Sequence, residues 1–189
     1  MDTIVQDPFF EHMPRFFDLS FQELLAAKHP TAWVEFECAQ ITEDQLFEKF
    51  FKDGRGFDGA ALVDHMIAHY GYIDGMPSLL ARLNAAGYAV HAMSNYPSWW
   101  RHIEAKLQLS AHLQWTFVSC EGPMKGVRKP APDAYHAVVS TLDLPPSSLV
   151  FVDDRKVNTD AAAALGWGSV HFTGAAALEE RLRAMGLEF

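Results

Sequence analysis

The sequence predicts an α/β fold: a three-layer parallel sheet preceded by a helical segment. Three observations carry that expectation. After Gly75, four short apolar runs alternate with four amphipathic stretches, whereas residues 8–70 read as helices alone. Such alternation is the signature of parallel strands joined by right-handed crossovers. Polar residues of catalytic type also follow three of the runs directly: Ser94-Asn95, the 119–130 loop and Asp153-Asp154. In open parallel sheets the working groups gather at the carboxyl ends of the strands.

The elements follow in chain order. Residues 8–17 and 20–29 are short and amphipathic, with Ser20 placed as an N-cap. Residues 42–52 open on Thr42 and Gln45, a capping-box pair, and set Leu46, Phe47, Phe50 and Phe51 on one face. Asp53-Gly54-Arg55-Gly56 breaks that pattern, and a further helix runs to about Tyr70. Helix 76–86 ends at Gly87, where a C′ glycine belongs, and Tyr88–Met93 reads as a buried strand. Pro97 starts the next helix, and Thr116–Ser119 is a second strand. Helix 132–142, strand Leu149–Val152, helix 157–165, strand Ser169–Phe172 and a last helix complete the chain.

Composition bounds the function. With 189 residues, 49% of them hydrophobic, the chain suits one domain with a small appendage. A formal charge of −9 argues against a nucleic-acid surface. No apolar run approaches the ~18 residues needed to span a membrane. Cys38 and Cys120 stand 82 positions apart without metal-ligand spacing, which favours reduced thiols over a disulfide. A soluble protein of a reducing compartment, cytoplasm or plastid, is expected, with no targeting segment visible. Oligomeric state is left open.

Each candidate residue has two readings when taken singly. Adjacent carboxylates at Asp153 and Asp154 suit a hard cation, or a solvated loop capping the next helix. Lys129, followed by Pro130, can offer a point charge to a phosphate or be a surface lysine. Ser94 and Asn95 make an anion seat or an ordinary helix cap.

Taken together they are specific. A small hydroxyl after a strand, a lysine 35 residues on and an acidic pair 24 further form an ordered set. That set, with the strings SNYP, GVRKPAPDAY and FVDDRKVNTDAAAALG, resembles motifs two to four of the haloacid dehalogenase superfamily. The resemblance is good from Gly75 onward and looser before it. It implies that Ser94 hydrogen-bonds a transferring phosphoryl group, with Asn95 beside it. Lys129 would neutralise charge on nucleophile and phosphate, and Asp153 with Asp154 would hold Mg²⁺. Asn158 would support the acidic loop, unless it is simply a helix-surface residue. Residues 8–70 stand where the superfamily inserts a small helical cap, leaving 71–189 as the core and 1–7 as the remnant of a first-motif segment. The wording DPFF, KHP.AW.EFE and DGR.FD resembles a plant and algal group that includes a chloroplast flavin mononucleotide hydrolase.

The first motif is where the sequence departs. It should be an apolar strand ending in a nucleophilic Asp, with a Thr or Val closing the motif. If Thr3 is that closing residue, the nucleophile lies upstream of Met1, and Asp2 is not it. The strand carrying it would be the centre of the sheet, between those ending at Ser94 and Asp153. A start at an internal methionine and a true loss of the nucleophile both account for this. The expected function is therefore a Mg²⁺-dependent phosphomonoesterase of a small phosphorylated metabolite, with little activity in the chain as it stands. The alternatives are a 2-haloacid dehalogenase-like hydrolase and a non-catalytic binding or assembly protein of the same fold.

Overall fold

Local sequence accounts for most of the helical first third. In the computed structural model, which describes Met1–Phe189 in full, α1 (His12–Phe16) is followed by α2 (Phe21–Ala27), α3 (Ala32–Glu37), α4 (Glu43–Lys49) and α5 (Gly59–His69). Ser20 and Thr42 each accept a hydrogen bond from the residue three positions on, and Glu23 and Gln45 reach back to the cap backbone. Both ends of each box are thus satisfied, which stabilises helices too short to hold alone. Asp58 caps α5 by accepting from Ala61 N at 2.9 Å. Helix α3 is an addition, because its six residues give no room for a periodicity to show. Phe17 stands 5.0–5.4 Å from the rings of Phe50, Phe51 and Phe57, an aromatic knot that seals α1 to the α4–α5 link.

The second part alternates as expected: α6 (Met76–Ala85), β1 (His91–Ser94), α7 (Trp100–Leu107), β2 (Gln114–Val118), α8 (Pro132–Leu142), β3 (Val150–Asp153), α9 (Lys156–Ala164), β4 (Gly168–His171) and α10 (Ala175–Ala184). Helix α7 starts later than Pro97 predicts, because residues 97–101 form turns in which Trp100 N and Arg101 N donate to Pro97 O and Ser98 O. On β3, Phe151 packs with Tyr135, Ala162 and Trp167, while Val152 packs against the Met76, Leu79 and Leu178 side. Consecutive strand residues face opposite ways, so helices cover both faces and three layers result.

Every strand pairing is parallel, but the sheet is divided. β1 pairs only with β2, and β3 only with β4. Between the pairs lies a cleft of about 1070 Å³, lined by the whole of 87–96 on one side and 147–155 on the other. Leu80, Leu83, Leu178 and Leu182 of α6 and α10 close part of it with apolar surface. Strand β1 is shorter than the apolar run 88–93 predicts; its N-terminal half, beside the cleft, lacks a partner on that side. Residues 1–7 do not enter the cleft as a strand. Val5 instead bridges Tyr72 in antiparallel fashion, and Ile73 N donates to Ile4 O at 2.9 Å.

Candidate active site

Strand ends bring distant side chains to one mouth of this cleft. Ser94 ends β1, Asp153 ends β3, and Lys129 arrives from the loop after β2. Lys129 Nζ donates to Asp153 Oδ2 and to Met93 O, each at 2.6 Å. Both charged groups are buried, at 8% and 4% exposure. A buried ion pair persists only when its remaining donors and acceptors are also matched. Here they are: Asp153 Oδ1 accepts from Arg155 N and from Asn158 Nδ2, both at 2.9 Å. Burial alone would raise the Asp153 carboxyl, but the Lys129 charge and these donors outweigh it and hold the group below its ordinary value.

The other expected residues take distinct places. Asn95 lines the cleft, and its amide clamps the Lys129 backbone, donating from Nδ2 to Lys129 O and accepting from Lys129 N, both at 2.9 Å. Its position is thus one that orients the lysine. The Ser94 carbonyl accepts from Ser119 N, and its side chain lines the cleft. Asn158 is buried in α9 and orients Asp153, while its backbone carbonyl accepts from Tyr135 Oη at 2.7 Å. Thr3 Oγ1 accepts from Asp154 N at 3.2 Å and contacts Asp154 Oδ1 at 3.4 Å, fastening the first residues to the β3 end.

Carboxylates gather at this mouth, opposed in part by the N-terminal amine. Asp154 is raised above its ordinary value by burial first and by Asp153 second. Asp7 is raised by burial, partly offset by the Phe9 N–H, with the Asp2 and Asp154 charges adding to it. Asp2 is occupied in a local turn: its backbone lies in the left-handed region, at φ 49°, and its Oδ1 accepts from Asp7 N at 2.9 Å. Carboxylate oxygens are of the hard-donor type that a divalent cation with oxygen preference takes.

A second group that spacing could not reveal lies beside the mouth. Glu37, from α3, is buried; its Oε1 accepts from Trp33 Nε1 at 2.6 Å. Arg128 Nη2 stands 2.8 Å from Glu37 Oε2, a charge contact without hydrogen-bond alignment. Burial dominates over that cation and pushes the Glu37 carboxyl up to about 7. Trp33, Glu37, Arg128 and Lys129 all line the cleft. Ninety-one positions separate Glu37 from Arg128, so only folding joins them.

Comparison with known proteins bears on the family and the fold. A family model described as haloacid dehalogenase-like hydrolase matches residues 20–166. The chain is 44% identical over 187 residues to flavin mononucleotide hydrolase 1, chloroplastic, of Arabidopsis thaliana, covering 99% of this chain and 75% of that one. It is 26% identical over 172 residues to a sesquiterpene phosphatase of Aspergillus oryzae, covering 88% and 85%. A haloacid dehalogenase family enzyme of Bacteroides thetaiotaomicron, solved as a magnesium complex, superposes with a TM-score of 0.76 at 21% identity, over 96% of this chain and 93% of that one.

Proposed function

The chain belongs to the haloacid dehalogenase-like hydrolases, and on that premise we propose that it is the scaffold of a Mg²⁺-dependent phosphomonoesterase acting on a small phosphorylated metabolite of the flavin mononucleotide kind. The carrying observation is the buried Lys129–Asp153 pair at the strand ends, beside Ser94 and facing the cleft. Lys129 supplies a fixed positive charge where a phosphoryl oxygen develops charge, and electrostatic stabilisation of this type is a large term in phosphate chemistry. Ser94 Oγ donates to the same phosphoryl group. Asp153 and Asp154 hold the metal, which when bound supplies Lewis-acid charge neutralisation. Residues 8–70 act as the cap, with Trp33 and Glu37 shaping the side of the pocket where the substrate's organic part sits.

Neither Asp153 nor Asp2 is placed to serve as the nucleophile. Asp153 is engaged by Lys129, Arg155 and Asn158, and Asp2 is engaged in its turn. The cleft between β1 and β3 fits a fifth, central strand whose carboxyl end would deliver an attacking aspartate beside Lys129. A polypeptide limited to these residues would turn over negligibly on this reading, since loss of a covalent nucleophile removes several orders of magnitude in rate.

The test assays two proteins on a phosphate-ester panel with Mg²⁺: this chain, and the chain preceded by an apolar strand ending Asp-x. Activity only in the extended protein, abolished by Asp153→Ala, is the expected result. Comparable turnover by both would overturn the assignment of the nucleophile to that strand.

A further inference from the structure

A second cluster lies away from the strand ends. His65 and His69 stand one turn apart on α5, and His12 comes from α1. One ring nitrogen of each lies within 4.8 Å of the other two, and all three side chains are half-buried. The His12 and His69 rings stack at 3.7 Å between centroids, and His65 is 4.6 Å from His69.

The hydrogen bonds of this cluster are compatible with metal ligation. A ligating imidazole uses one nitrogen as the lone-pair donor and anchors the other through N–H to a carbonyl or carboxylate. His69 Nδ1 lies 2.7 Å from His65 O, and His65 Nε2 lies 3.0 Å from His12 O. A carbonyl only accepts, so the histidine nitrogen in each bond carries the proton. In a neutral imidazole, the ligand form, the lone pair then lies on Nε2 of His69 and on Nδ1 of His65. Both tautomers are set by backbone, independently of whether a metal is bound.

We propose that His12, His65 and His69 form a site for a borderline divalent transition-metal ion, Zn²⁺, tying α1 to α5. Three neutral imidazoles and one open position are a known zinc donor set, and they discriminate against Mg²⁺, which demands oxygen. Nitrogens in a tetrahedral zinc shell stand roughly 3.4 Å apart, so the rings must close by about 1.5 Å at most. Half-buried rings reach that by side-chain rotation, and His12 gives up its stack on His69. The ion fastens two helices that otherwise meet mainly through apolar contacts such as Met13 and Leu62, both within one core cluster. The chain then carries two separate cation sites: oxygens at the strand ends and nitrogens on the helices.

The test titrates Zn²⁺ into the full chain against a chromophoric chelator, with zinc-edge X-ray absorption on the wild-type complex. The expected result is one Zn²⁺ per chain with a shell of three imidazoles and no sulfur. His12→Gln, His65→Gln and His69→Gln should each weaken binding at least as much as the roughly 10–100-fold that loss of an outer partner costs. His102→Gln, on α7, should leave zinc affinity unchanged. A variant that fails to fold does not remove the test, because the absorption spectrum reads the wild-type ligands directly. No stoichiometric binding, a shell of oxygens or sulfur, or full affinity in a folded triad variant would each overturn the site.

Discussion

Asn95 and Lys129 hold one another by two reciprocal hydrogen bonds of 2.9 Å, side-chain amide to backbone on both counts. The clamp links the turn after β1 to the loop after β2 and fixes the backbone from which Lys129 reaches Asp153. Replacement by alanine leaves a backbone N–H and a carbonyl without partners. Asn95→Ala is expected to lower stability by about 1–3 kcal/mol in urea unfolding. An unchanged midpoint would show that water replaces the amide at no cost.

Lys129→Met removes one half of a buried ion pair and leaves Asp153 uncompensated. The expected loss is about 3–5 kcal/mol near neutral pH. Asp153 sits below its ordinary value in the native protein, so the stability it confers is present above the unfolded value and fades as pH falls through the folded one. In the variant, burial acts unopposed by the lysine and the carboxyl rises. The penalty should therefore shrink as the pH is lowered and Asp153 takes up a proton. A penalty independent of pH would remove the charge argument.

Glu37 has the opposite sign. Its carboxyl is raised to about 7 from 4.5, so the folded protein binds a proton that the unfolded chain releases. Its favourable contribution is complete below about 4.5 and is lost as pH rises to about 7. Stability measured by denaturant across that window should fall more steeply in the wild type than in Glu37→Gln. Parallel curves for the two proteins would assign the slope to other groups.

The apolar cleft between β1 and β3 should report itself in solution. Exposed apolar surface in a partly assembled core binds ANS, so this chain is expected to enhance the dye's fluorescence at neutral pH. Extension by an apolar strand should abolish that enhancement and raise the melting temperature by pairing both open edges. Persistent dye binding after extension would mean that the strand lies elsewhere.

Much of the fold was legible because the determinants were local. The boxes at Ser20 and Thr42, the cap glycine Gly87 and the four apolar runs involve residues within a few positions of each other. The ordered set Ser94, Lys129, Asp153 and Asp154 was equally readable, since each stands at the end of an apolar run or in the loop after one. The His65–His69 spacing on one helix turn was available as a signal too, but nothing in the sequence placed His12 beside it.

By itself, then, the sequence determined the α/β alternation, the helical segment before it and the chemical types gathered at the strand ends. Tertiary structure alone decided that the sheet parts into two pairs, that Asn95 clamps a backbone, and that Glu37 meets Arg128. The physical reason is range. Capping and periodicity act within one or two turns, whereas edge pairing, burial and the resulting pKa shifts depend on groups that only the closed chain brings within a few ångströms.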